Sequence, residues 1–327
     1  MGGDFAPHHV VAGAIEALAE APGRFSLLLV GQEERIRREL STLRHPLLAE
    51  SCAVIDAADV IDMNDSPNAA LKSKKNSSIT VGLTLHREGK AHAFVSAGNT
   101  GAVLSASTLI LGRIKGIARP TIGALLPTAQ SPCLLVDAGT NVDCKPKHLL
   151  EFAVMGSIYV STMLGRKNPV VGLVNIGEEA IKGNDASVET YALLKKSTLN
   201  FAGNVEGRDI LSGRYDVVVC DGFVGNILLK FGESMPGFFK SKFKAYASKG
   251  FANKLVALFA RSGLRAAMKE LDYQEQGGVP LLGVNGVSII GHGGSTPKAI
   301  KNMILRAEEM VQRRVNGHIQ EAMLTYA

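Results

Sequence analysis

Short apolar runs alternate along this chain with segments of helical periodicity. The runs are Ser26–Val30, His92–Ser96, Thr121–Leu126, Cys133–Asp137, Val170–Asn175, Tyr215–Asp221 and Val287–Gly291. They are rich in leucine and β-branched residues and mostly lack polar alternation, as strands buried on both faces of a parallel sheet do. Helical spacing predicts helices over Val10–Ala19, Glu33–Leu43, Ser66–Arg87, Ala102–Leu111, Lys147–Leu164, Ala186–Ser197, Ile227–Ala247, Asn253–Leu271 and Thr296–Ala322. Such alternation predicts an α/β sandwich with right-handed crossovers. Neither an internal repeat nor a linker interrupts it, so a single domain over residues 1–327 is expected. Met1-Gly2-Gly3-Asp4 reads as a turn into a helix, and the pattern predicts a strand before it, upstream of Met1.

Six glycine-rich loops follow the apolar runs or open the chain: Gly2–Asp4, Ser96–Gly101, Asp137–Asn141, Asn175–Glu179, Asp221–Asn226 and Gly291–Ser295. In open parallel sheets ligands bind beyond the carboxyl ends of the strands. All six are therefore expected along one rim, where glycine lets backbone N–H groups approach an anion and the next helix adds its N-terminal partial charge. Taken singly, each loop is equally a tight turn, and Asn99 and Asn226 are equally helix caps.

The remaining chemistry narrows the picture by exclusion. There is no G-x-x-x-x-G-K-[ST], no G-x-G-x-x-G at the first crossover, no G-x-S-x-G elbow and no H-E-x-x-H. No cofactor and no metal are expected. Of the four cysteines, Cys133 and Cys220 lie in apolar runs and read as reduced core residues, Cys52 has no C-x-x-C partner, and Cys144 sits in a polar loop where it could react. His8 and His9 read as surface or capping residues, and His292, in a glycine loop, is the strongest histidine candidate. A site rich in Gly, Asn, Asp and Lys but poor in nucleophiles suits direct transfer, with the attacking atom on the substrate.

The formal charge of +6 points to an acidic partner only if it clusters, and it does. Within a basic amphipathic helical region at about 236–271, Pro236–Lys269 holds no acidic residue. Lys254, Arg261, Arg265 and Lys269 recur at helical spacing on one face, with Phe251, Leu255, Leu258, Phe259 and Leu264 around the rest. That reads as contact with an anionic membrane surface or an acidic carrier protein, or as a solvated helix packed on the domain or a dimer mate. Aromatic residues do not interleave as base-stacking requires, so no nucleic acid is expected. No apolar run is long enough to span a bilayer, and a cytoplasmic location is expected.

In order along the chain, Gly2-Gly3-Asp4, Ser96–Ala102 (SAGNTGA), Asn141–Cys144 (NVDC), Asn175–Gly183 (NIGEEAIKG), Asp221–Lys230 (DGFVGNILLK), Pro280–Gly286 (PLLGVNG) and His292-Gly293 resemble the bacterial phosphate acyltransferase family over essentially the whole length. The resemblance implies a three-layer α/β/α sandwich with a mostly parallel sheet, like phosphotransacetylases and the isocitrate/isopropylmalate dehydrogenases. It implies reversible transfer of a fatty acyl group from acyl carrier protein to inorganic phosphate, giving acyl phosphate for a membrane glycerol-3-phosphate acyltransferase in phospholipid synthesis. It also implies a homodimer, peripherally bound to the inner face of the cell membrane. The family's lysine and asparagine fall on Lys182 and Asn226, expected to be catalytic. Gly3, Asp4, Gly98, Asn99, Thr100, Gly101, Asp137, Asn141, Gly225 and His292 are expected to bind substrate. Glu178 and Glu179 are expected in a first helical turn or as partners of a lysine. The family's D-x-GAN reads Asp137-Ala138-Gly139-Thr140-Asn141, so Thr140 departs from it. Two alternatives stay open: a phosphate acetyl- or butyryltransferase using coenzyme A thioesters, and a catalytically silent lipid-surface binding protein.

Overall fold

The computed structural model describes residues 1–43, 51–269, 275 and 277–326, and for 265–269 and 326 the backbone alone. The elements in chain order are α1 (His8–Glu20), β1 (Leu27–Gly31), α2 (Glu33–Leu43), β2 (Cys52–Asp56), α3 (Pro67–Ser73), α4 (Ser78–Arg87), β3 (Ala93–Ser96), α5 (Thr100–Ile110), β4 (Thr121–Leu126), β5 (Cys133–Val136), α6 (Pro146–Leu164), β6 (Val170–Val174), α7 (Asp185–Lys196), β7 (Asn200–Val205), β8 (Val217–Val219), α8 (Gly222–Ala247), α9 (Phe251–Lys269), β9 (Val279–Leu282), β10 (Val287–Ile290), α10 (Pro297–Gln312) and α11 (Val315–Tyr326).

β1 and β2 form a parallel pair, and the other strands form one sheet in the order β3-β10-β9-β4-β5-β8-β6-β7. Pairs β3/β10, β5/β8, β8/β6 and β6/β7 are parallel, whereas β10/β9, β9/β4 and β4/β5 are antiparallel. The apolar runs build this sheet because both its faces are covered. Leu134, Val136, Val171, Leu173, Val217, Val219 and Ile289 pack on one face with Phe152, Met155 and Tyr159 of α6 and Met303 and Met310 of α10. Residues one position along, among them Leu135, Val218, Ile122 and Ile290, pack on the other with Leu83, Phe94, Val103 and Ala106. The period of two along each strand is the pleat itself.

Two expected helices are each broken in two. The segment 66–87 divides because Lys74 leaves the helix to donate from Nζ to Val60 O and Asp65 Oδ2, and Ser77 then caps α4 by accepting from Thr80 N. The segment 296–322 divides at Arg313-Arg314, where Arg314 has a φ of 51°. Of the helix expected to Leu271, residues 270 and 271 lie outside the described ones. Among the described residues no helix is long and apolar enough to cross a membrane.

Reversal between β4 and β5 corrects the expectation of a single rim. The carboxyl end of β5 lies beside the amino end of β4, as Ala138 N donating to Ile122 O at 2.9 Å shows. The loops after β3 and β10 therefore leave one edge of the sheet, and those after β5, β6 and β8 leave the other.

Candidate active site

The first edge gathers Gly2–Asp4, Ser96–Gly101 and Gly291–Ser295. Asp4 N donates to Gly293 O at 2.9 Å, and Gly3 lies so close to Ala97 that a Cβ there would come within 2.9 Å of its carbonyl oxygen. Asn99 is buried and caps α5 by accepting from Ala102 N. Its Nδ2 is shared among the carbonyls of Asp62, Met63 and Asp65. Both ends of its amide are thus held by the fold. Gly98 is buried and Gly101 packs on Pro67, while Thr100, Asp4 and His292 are exposed. His292 Nδ1 accepts from Gly294 N. His8 meets Glu39 and His9 meets Ser295 O through their Nδ1 atoms.

On the second edge Asp137 is fully buried. Its Oδ1 accepts from Gly139 N and Thr140 N at 3.1 and 2.9 Å, and its Oδ2 from Asn141 N and Nδ2 at 2.7 and 2.8 Å. Burial raises its pKa, and the four donors oppose that rise. The carboxylate folds its own loop. Asn141 is committed likewise: Nδ2 also donates to Pro120 O, and its carbonyl accepts from Gly222 N at 2.7 Å. Asp137 and the Asn141 amide N–H groups thus hold the shape of this loop. Thr140 Oγ1 is buried without a partner.

α8 docks end-on against this loop. Its cap is Asp221, which accepts from Val224 N at 2.8 Å. A Cβ on Gly222 would stand 2.7 Å from Asn141 N, and one on Gly225 only 1.8 Å from Asp137 O. The glycines of the D-G-F-x-G-N motif thus let the helix touch backbone. Asn226, expected also as a cap, lies a turn further in, exposed and against Gly139.

The loop after β6 is closed on itself by Asn175, whose Oδ1 accepts from Ile176 N and whose Nδ2 donates to Lys182 O at 2.9 Å. Gly183 completes the ring at a φ of 95°, in space too small for a side chain. Lys182 N donates to Glu179 O, so its backbone is held on both sides while its side chain is exposed. Lys182 forms no ion pair among the described residues. Glu178 and Glu179 are exposed in the turn before α7, which is capped by Asn184, so they are not first-turn helical residues. Neither carboxylate pairs with a lysine among the described residues.

These loops enclose a cavity of about 380 Å³. Its floor is Leu149, Leu173, Val174 and Val224, its rim Asp143, Asn175, Asn184, Ser187 and Asp221, and both Cys144 and Cys220 line it. Lys182 and Asn226 flank this cavity on adjoining turns without lining it. Burial, helped by the charges of Asp137 and Asp221, pushes the Cys144 thiol up to about 12, and burial pushes Cys220 well up too. Only a thiolate attacks, and burial disfavours that form at both thiols. Arg119 escaped the sequence reading. It donates from Nη1 to Asp143 O at 2.9 Å and is part of the cavity's surroundings. Its signal was position, two residues before a strand whose amino end adjoins the Asp137 loop.

Behind this edge Glu151 of α6 is buried, accepting from Ala118 N at 2.8 Å with Oε2 while Oε1 has no partner. Burial raises its pKa above the ordinary 4.5. Below that value folded and unfolded chains both hold the proton. As pH rises past it the unfolded chain releases its proton first, so this group's contribution to stability falls through the window up to the folded pKa. Glu151→Gln is expected to melt higher than the wild type at neutral pH, with the difference shrinking as pH falls toward 4.5 and below. Thermal midpoints across pH measure this, and a pH-independent difference would contradict it.

A family model described as a fatty acid synthesis protein matches residues 1–318. A phosphate acyltransferase of Heliobacterium modesticaldum is 49% identical over 98% of this chain and 95% of its own length. The chain belongs to the phosphate acyltransferase family. A second member, from Pelotomaculum thermopropionicum, is 47% identical over 99% of this chain and 93% of its own. Among solved structures, a phosphotransacetylase from Streptococcus pyogenes superposes with a TM-score of 0.64 at 16% identity, covering 94% of this chain and 92% of that one. That likeness is one of fold, and it agrees with the sandwich expected of a phosphate acyltransferase.

Proposed function

We propose that this chain transfers a fatty acyl group from the thioester of an acyl carrier protein to inorganic phosphate, for phospholipid synthesis. The observation that carries this reading is near-half identity to phosphate acyltransferases over almost the full chain. The cavity's lining accords with direct transfer, because burial disfavours the thiolate of both its cysteines.

A phosphate oxygen attacks the thioester carbonyl, the tetrahedral oxyanion collapses, and the C–S bond breaks to release the carrier thiol. Phosphate needs little help from a base, so the protein's task is to position it and stabilise the oxyanion. Lys182 supplies the positive charge and Asn226 a neutral donor. Gly98, Thr100 and Gly101, at the start of α5, lie on the other edge of the sheet and are not assigned to this phosphate. The test incubates the protein with palmitoyl carrier protein, with and without phosphate, and follows acyl phosphate and free thiol. Phosphate-dependent release of both is expected. An acylated serine or cysteine trapped during turnover would overturn the direct-transfer step, and turnover of acyl-coenzyme A alone would replace the carrier.

The product's acyl chain suits work beside a membrane, and α8 and α9 suit that habit and a homodimer. They pack on each other as a hairpin exposing Phe231, Phe238, Phe239, Phe251, Val256, Leu258 and Phe259. Lys254 and Arg261 are exposed on α9, whose backbone also carries Arg265 and Lys269. Lys254→Glu/Arg261→Glu is expected to lose flotation with anionic vesicles, and equal flotation of both proteins would count against membrane contact through these residues.

A further inference from the structure

Cations crowd the second edge as well. From Leu111 to Leu150 the chain carries Arg113, Lys115, Arg119, Lys145 and Lys147, all exposed, against two acids. One of those acids, Asp137, is buried and committed to its loop. None of the five cations forms an ion pair among the described residues, whereas Arg24, Lys74, Arg208, Lys298 and Lys301 elsewhere each hold a carboxylate.

Two loops bring four of the five together, and Lys115 lies on the first of these loops. The segment before β4 and the segment before α6 are tied by Asn141 Nδ2 to Pro120 O at 2.9 Å and by Arg119 Nη1 to Asp143 O at 2.9 Å. The mutual field is felt by the groups between them. His148 is pushed down by burial and then by Arg119, Lys145 and Lys147, and Glu151 feels Lys147 and Arg113. The patch is continuous with the cavity, because Asp143, Cys144 and Leu149 belong to the cavity wall and lie within or beside the same segment.

We propose that this patch, formed by Arg113, Lys115, Arg119, Lys145 and Lys147, is the docking surface for the acidic carrier protein that presents the thioester. The inference rests on the function proposed above and adds where the carrier sits. An acidic surface steered onto five unpaired cations is held at the mouth of the cavity, where the carrier's prosthetic arm needs to enter. The α8–α9 hairpin, with its large apolar exposure, is then left for the other contacts.

The test compares wild type with Lys115→Glu/Lys145→Glu/Lys147→Glu, none of which lines the cavity, and with the hairpin variant Lys254→Glu/Arg261→Glu. Rates are measured with palmitoyl carrier protein and with palmitoyl-pantetheine, an uncharged thioester lacking the protein. The patch variant is expected to lose about tenfold to hundredfold in kcat/KM for the carrier, mostly in KM, with little change for the pantetheine thioester. Added salt is expected to narrow the gap by slowing the wild type. The hairpin variant is expected to keep wild-type kinetics with the carrier. Unchanged carrier kinetics in the patch variant, an equal fall with both thioesters, or loss of vesicle binding in place of carrier kinetics would each overturn the proposal. Absence of acyl phosphate from wild type with either thioester would instead sink the function on which it rests.

Discussion

Lys182→Ala is expected to lower kcat by about 10²–10³-fold, the loss typical of removing one preorganised donor to an oxyanion. The reason lies in the geometry of the loop. Asn175 holds the Lys182 carbonyl and Glu179 its N–H, so the backbone position survives truncation of the side chain. The exposed ammonium stabilises nothing in the fold among the described residues, so the melting temperature should stay within about a degree or two, as for surface substitutions generally. Steady-state rates with saturating phosphate and carrier thioester, beside a thermal melt, separate the two effects. Wild-type turnover in the variant would remove Lys182 from the chemistry. Lys182→Arg, which keeps charge but changes its shape, should recover only part of the loss.

The largest effect on folding is expected at Gly225. A methyl group there would stand 1.8 Å from the Asp137 carbonyl oxygen and 3.0 Å from Cys220 Sγ. Neither backbone can yield cheaply, because Asp137 is anchored by its four acceptor contacts and Gly222 N is bonded to Asn141 O. Gly225→Ala should therefore push α8 off the β5 loop and cost about 3 kcal/mol or more, at the upper end of overpacking penalties. Denaturant unfolding measures this directly. Gly232→Ala, seven residues on in the same helix and open to solvent, is the control and should be neutral or slightly stabilising. Similar midpoints for the two variants would show that the helix tolerates displacement.

The central strands were legible because both their faces are buried, and an apolar run without alternation has few other readings. β7 was not, since Asn200–Val205 is an edge strand with exposed residues and a Gly at φ 107°. β9 begins Val279-Pro280, and proline argues against a central strand. It is tolerated there because the ladder is short on either side. β2 is only half-buried, which blurs its pattern. The functional loops were legible as a set but not as an arrangement. A cue was present: Leu126 and Cys133 are joined by residues 127–132, too few for a parallel crossover, so β4 and β5 had to run in opposite directions. The residue roles were mixed for a related reason. Asn, Asp and Gly in a loop fit a ligand site and a turn equally well, and only hydrogen-bond partners reveal that Asn99, Asp137 and Asn141 serve the backbone while Lys182 and Asn226 stay exposed.

The interleaving of β9 and β10 between β3 and β4 has a consequence for synthesis on the ribosome. β3 and β4 emerge early, yet the strands that must lie between them emerge only near the end of the chain. Until then a gap about two strands wide separates partners that cannot pair with each other in the finished order. The half-made chain carries open strand edges for most of its translation, and those edges invite pairing with neighbouring nascent chains. Ribosome-bound intermediates shorter than about residue 290 are therefore expected to depend on chaperones, and the final helices to close the molecule in one late step.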